Sequence, residues 1–178
     1  GAPPPAAPGS RDVGGFPPNT ILRAAELVES GRSSDALTML GSLTRLHPGS
    51  CEARAMTAAV LTRAGRHGEA QRIAAGIWSR AAAAPDGSGW AQCGYMAAAA
   101  VNDPGRAAAW LGRVASSRSE LRAWGEVCGL LDGLDAARDG VFPWSNVAGA
   151  PAVAEAAASL RAALSRAASD AARALGGL

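Results

Sequence analysis

Gly31-Arg32 recurs as Gly65-Arg66 thirty-four residues later, and the residues around the two pairs recur at the same offset. Leu27 returns as Leu61, Asp35-Ala36 as Glu69-Ala70, and the apolar pair Met39 and Leu43 as Ile73 and Ile77. An internal period of this length predicts one helical hairpin per repeat. A single hairpin cannot bury its own apolar face, so successive hairpins must stack on one another. This constrains the chain to an extended helical array and leaves little room for a sheet.

The repeat is similar to the tetratricopeptide (TPR) pattern in spacing and in residue size. In that pattern small residues stand where paired helices cross. Ala24 and Ala58 take that place in the first helices, and Ala36 and Ala70 in the second. Gly31 and Gly65 match the turn glycine, which supplies left-handed backbone just past the first helix. Pro48 matches the proline that stops the second helix, whereas the second repeat has Ala82 there and delays its stop to Pro85-Asp86-Gly87. A third unit follows after three inserted residues, with Asp103-Pro104 opening a helix and Ala107, Leu111 and Val114 at second-helix positions of the pattern. The resemblance implies an all-α fold, a TPR-like right-handed solenoid of antiparallel helical hairpins with a long C-terminal helix.

Composition points the same way. The chain is rich in alanine and poor in aromatics, and alternation of the strand type is nowhere sustained. Its 178 residues suffice for one domain with a real core. A net charge of +2 is too small for a nucleic-acid footprint. All 17 basic residues are arginine, a bias expected of a GC-rich bacterial genome. No apolar run is long enough to span a membrane. Cys51, Cys93 and Cys128 are odd in number and widely spaced, with neither zinc-ligand spacing nor a disulfide framework. They are expected to be free core thiols, which points weakly to a reducing compartment.

The chain divides into a Pro/Gly-rich linker at 1–18, a helical region at 19–138, a loop at 139–151 and a C-terminal helix within 152–178. Helices are expected at 19–30, 34–46, 50–64, 67–83, 88–101, 104–116 and 119–138, with Asn19, Asp103 and Ser119 as N-caps. Gly125, Gly129 and Gly133 form a smooth stripe for close helix packing. Charged Arg122, Glu126, Asp132 and Asp135 rule out a membrane dimer motif there. Trp78, Trp110 and Trp124 fall on apolar helical spacing and are expected in the core. Trp144 stands in a proline-flanked loop. The chain does not begin with Met, and a signal peptide ahead of residue 1 is one expectation.

Catalytic motifs are not found. His47 ends a helix, His67 sits in a hairpin turn, and no nucleophile elbow, phosphate loop, HExxH or paired CxxC occurs. The chain is therefore expected to bind, not to catalyse, and no cofactor or metal is implied. In the TPR pattern the first helices line an inner surface. Carried onto this sequence, that surface holds Ile21, Ala25, Val28 and Glu29, then Glu52, Ala55, Ala59, Thr62 and Arg63, then Gln92, Met96, Ala99 and Ala100. The several Lys, Arg or Asn side chains that grip a C-terminal carboxylate in such proteins are missing. A largely apolar row suits an amphipathic helix laid along it. Alternatively, the row packs against the chain's own last helix.

A narrower resemblance rests on Trp90-Ala91-Gln92-Cys93, Asn102-Asp103-Pro104, Glu52-Ala53-Arg54 and the turn Ala64-Gly65-Arg66-His67-Gly68-Glu69-Ala70. Over about residues 20–138 these look like the small TPR chaperones of bacterial type III secretion, which hold the needle subunit before export. The resemblance implies a cytoplasmic location, a groove that sequesters an amphipathic helix, and a small helical co-chaperone. Val28, Ala55, Ala59, Met96 and Ala99 would line the groove. The proline-rich head and the helix beyond 150 depart from that family. The other reading is a generic bacterial TPR adaptor, periplasmic if a signal peptide has been removed. In the last helix, Val153, Ala157, Leu160, Leu164, Ala167, Ala171 and Ala174 form one apolar stripe. That stripe is expected to cap the array, to fill the groove or to pair with its copy in a dimer.

Overall fold

The computed structural model describes residues 20–85, 90–116, 147 and 149–177. The expected linker at 1–18, the caps Asn19 and Ser119, the helix 119–138 with its glycine stripe, Trp124 and Cys128, and Trp144 lie outside the described residues. Seven helices and no strand occur among the described residues. They are α1 (Thr20–Glu29), α2 (Ser33–Leu46), α3 (Cys51–Arg63), α4 (His67–Ala83), α5 (Trp90–Ala100), α6 (Pro104–Ser116) and α7 (Pro151–Gly176). The protein is all-α over this part, and the helix boundaries follow the sequence expectation closely.

The turns explain why. Gly31 has φ +76° and Gly65 φ +78°, a left-handed geometry that side chains resist. Around each, the same two bonds close the preceding helix. Gly31 N–H donates to Val28 O at 3.0 Å and Arg32 N–H to Leu27 O at 2.7 Å. Thirty-four residues on, Gly65 N–H donates to Thr62 O at 3.1 Å and Arg66 N–H to Leu61 O at 2.8 Å. This is a Schellman ending, which satisfies carbonyls that the last turn leaves unpaired. The next helix is then started by matching ion pairs, Arg32–Asp35 at 2.7 Å and Arg66–Glu69 at 2.8 Å. Hydrogen bonds from Arg66 hold the Glu69 carboxyl below its ordinary range.

The motif occurs a third time, three residues later than the period requires. Asn102 has φ +57° and replaces glycine, with Asp103 N–H donating to Ala98 O at 2.9 Å. Asparagine tolerates this backbone better than most residues. Asp103 then accepts from Arg106 N–H at 3.0 Å, the expected cap ahead of Pro104 at the first helical position.

Each helix from α1 to α6 packs on the next, α3 also packs on α5, and α7 packs on α6. The small residues sit where the repeat places them. Ala24, Ala36 and Ala58 are fully buried and Ala70 nearly so. One cluster joins α1, α2 and α3 through Ala24, Leu27, Leu40, Met56 and Val60. A larger one joins α4, α5, α6 and α7 through Ile77, Trp78, Trp90, Tyr95, Trp110, Leu111 and Leu160. Trp78 and Trp110 are core residues as expected; Trp90, which the apolar spacing did not place, is the largest side chain buried outright among the described residues. A leucine at position 70 would overpack the crossing of α3 and α4. Ala70→Leu should therefore cost about 1–3 kcal/mol in chemical denaturation. An unchanged midpoint would mean that the repeat register is wrong.

The cysteines correct one expectation. Cys51 and Cys93 are not free core thiols; they form a disulfide between α3 and α5 across 42 residues of sequence. The odd count and wide spacing concealed it, because the two helices meet only when hairpins stack.

The stripe on α7 is partnered along its first half. Val153, Ala157 and Leu160 are buried and Leu164 packs partly against the same cluster. Ala167 is half-buried, whereas Ala171, Ala174 and Leu175 are exposed.

Candidate functional site

The residues expected to line the inner surface fall on α1, α3 and α5, and the fold brings α3 and α5 into direct packing. On α1, Val28 is buried, Ala25 half-buried and Glu29 exposed; the side chain of Ile21 lies outside the described residues. On α3, Ala55 and Ala59 are buried, Glu52 and Thr62 half-buried, and Arg63 exposed. On α5, Met96, Ala99 and Ala100 are buried and Gln92 half-buried.

The row is thus split. Ala55, Ala59, Ala99 and Ala100 are covered by their neighbours and belong to the cores, together with Val28 and Met96. Ala55, Met96 and Ala99 lie in the cluster around α5, and Ala59 and Ala100 in one between α3, α4 and α5. What remains reachable is Ala25, Glu29, Glu52, Thr62, Arg63 and Gln92, a mixed rim with more polar than apolar character. A charge introduced at Ala59 or Met96 would enter packed interior and threaten the fold itself. Those two positions cannot report on binding alone.

Glu29 and Arg63 show how the first helices align. They stand 34 residues apart, at the same place in successive repeats, and their side chains pair at 3.3 Å across α1 and α3. Both are more than half exposed, so the pair adds little stability. Its value is as a marker of register along one face.

Around α5 lies a group of aromatic side chains that the sequence did not assemble. Trp78 on α4 donates its indole N–H to Gly94 O at 3.0 Å, in place of water. Arg106 lies over the Trp78 ring at 3.8 Å, Arg80 over Trp90 at 4.7 Å and Arg113 over Trp110 at 5.1 Å. Each guanidinium covers an indole face and keeps its charge near solvent, a packing role.

Tyr95 stands out among the buried polar groups. Its hydroxyl is buried and finds no hydrogen-bond partner among the described residues, and burial pushes its pKa up to about 12. The folded state thus favours the neutral phenol. That contribution is complete below pH 10, the ordinary value, and is lost as pH rises through 12. Stability should fall by about 2–3 kcal/mol across that window. Tyr95 is the chain's one tyrosine and there is no lysine, so phenolate absorbance reads this group alone. Tyr95→Phe should remove the alkaline loss and leave neutral-pH stability equal or higher, since it deletes an unsatisfied hydroxyl. Phenolate appearing near pH 10 in the folded protein would contradict this burial.

Among the described residues no group of His, Cys, Asp and Glu gathers to hold a metal, and no helix is long and apolar enough to cross a membrane. No family model matches the chain, and no curated protein or solved structure matches it either.

Proposed function

We propose that this chain is a protein-binding scaffold of the TPR kind, a right-handed solenoid that holds an amphipathic helix of a partner protein across α1, α3 and α5. The observation that carries the reading is the turn geometry. The same Schellman ending, opening ion pair and buried alanine recur at Gly31 and Gly65, and the ending and the buried alanine return at Asn102 and Ala107. Repeated hairpins of this sort present one face of successive first helices as a surface for a partner. The Glu29–Arg63 pair supports the alignment of the first two repeats on that face.

The burial of the alanines changes how the partner is gripped. The contact falls on Ala25, Glu29, Glu52, Thr62, Arg63 and Gln92, so polar register along the helix matters more than an apolar clamp. Two forms of the function remain from the sequence: a type III secretion chaperone, with a co-chaperone in the cytoplasm, and a TPR adaptor working outside it. The Cys51–Cys93 bond favours the second, because cytoplasmic thiols are generally kept reduced.

Site-specific photo-crosslinking tests the binding face. A photoreactive residue at Thr62, half-exposed on the inner side, should capture a partner, and the crosslinked partner peptide should be an amphipathic helical segment. The same residue at Arg72, exposed on α4, should capture nothing. Capture at 72 with none at 62 would place binding on the other face and reject the proposal.

A further inference from the structure

Cys51 is the first residue of α3, and Cys93 lies one turn into α5. Their Cα atoms are 5.9 Å apart, and both residues are 0% exposed. Ser50 and Trp90, each 1% exposed, flank them. A thiol–disulfide exchange partner must bring its own sulfur in line with the sulfur it attacks. The packed α3–α5 contact leaves no approach for one.

We propose that this bond is a buried staple set before α5 docks on α3, by exchange with a disulfide oxidant in an oxidising compartment, and then sealed against reductants by native packing. In the open chain, a thiolate of Cys51 or Cys93 attacks one sulfur of the oxidant's disulfide. The S–S bond of the oxidant breaks, a mixed disulfide forms, and one oxidant thiol leaves. The second cysteine's thiolate then displaces the other oxidant thiol and closes the Cys51–Cys93 bond. The chain gives up two electrons and two protons, and the oxidant gains both as a dithiol. The stretch of α5 that follows Cys93 is Gly-Tyr-Met and then four alanines, and α5 carries no charged residue. Trp90, Tyr95 and Met96 anchor α5 in the core, and the bond adds a fixed link to α3. The inference is independent of what the scaffold binds.

The experiment starts from full-length protein made in its own host, with cells quenched in N-ethylmaleimide before lysis. Cleavage after arginine places the three cysteines on separate peptides, 46–54, 81–106 and 123–138. The expected result is a linked 46–54/81–106 pair, with the Cys128 peptide outside it. Alkylated thiols at Cys51 and Cys93, or a link from either to 123–138, would overturn the proposal. The purified oxidised protein is then exposed to dithiothreitol. Reduction in native buffer should be at least about 100-fold slower than in denaturant, because it waits on opening of the α3–α5 contact. Equal rates in the two conditions would overturn the sealed staple. This second reading uses the unaltered chain and needs no variant to fold.

Discussion

Replacing Gly94 with alanine is expected to destabilise the protein by about 2–3 kcal/mol, despite the usual benefit of alanine over glycine inside a helix. Gly94 lies within α5, where propensity alone predicts a gain of about 1 kcal/mol. The packing reverses the sign. A Cβ at this position would run into the fused middle of the Trp110 indole, a rigid part of a nearly buried ring. Trp110 is held between α5 and α6 with Arg113 over its face, so the indole cannot simply swing away. The other resort is a shift of α5, and that would disturb the bond from the Trp78 indole to Gly94 O. Gly76 provides the control, since it sits in α4 and a Cβ there would meet no described residue within 4 Å. Gly76→Ala should follow propensity and stabilise by about 1 kcal/mol. Denaturant midpoints for the two variants should move in opposite directions; a stabilised Gly94→Ala would refute the close approach of α5 to α6.

The second large effect concerns α7. Leu160 is 1% exposed in the cluster shared with α5 and α6, whereas Leu175 is 72% exposed at the far end of the same helix. Leu160→Ala should cost about 2–5 kcal/mol, the cost of a cavity left among partners that cannot collapse around it. Leu175→Ala should stay within about 0.5 kcal/mol of the original. Together the two variants separate an α7 docked on α6 from a helix that merely extends from the body. Equal, small effects would show that the docking does not contribute to stability.

The period made much of this protein legible. Glycine at 31 and 65 announced left-handed turns, and the alanines at 24, 36, 58 and 70 announced close helix crossings, because each role is dictated locally by backbone geometry or side-chain size. The delayed end of α4 could likewise be read from Pro85, and α4 does run to Ala83. Features made by contacts between distant residues were not legible. Cys51 and Cys93 looked like isolated thiols because nothing in their spacing says that α3 and α5 touch. Gly94 carried no sequence signal of its own, because its need for glycine comes from Trp110 packed against it. Trp90 sits at the start of α5, where apolar periodicity had too few residues to speak.

The candidate surface was legible in outline and misleading in detail. The sequence placed Ala55, Ala59, Met96 and Ala99 along the first helices, and that is where they are. Short side chains at a close helix contact are covered by their neighbours, so an apolar row in the sequence became core, and the polar residues at its edge became the reachable surface. Arg63 illustrates the shift: it read as the one arginine in a largely apolar row, yet it reaches solvent and meets Glu29 of the preceding repeat.

A partner helix lying along α1, α3 and α5 would pass Arg63 and leave Arg72 untouched. Calorimetric titration of the partner segment identified by crosslinking, against Arg63→Glu and Arg72→Glu proteins, therefore decides whether that face is the one used. Both side chains are exposed, so neither substitution should unfold the chain. Binding on the inner face predicts a loss of affinity of about tenfold or more for Arg63→Glu, equivalent to about 1.4 kcal/mol, and no change for Arg72→Glu. Full affinity in Arg63→Glu together with weakened binding in Arg72→Glu would rule that face out.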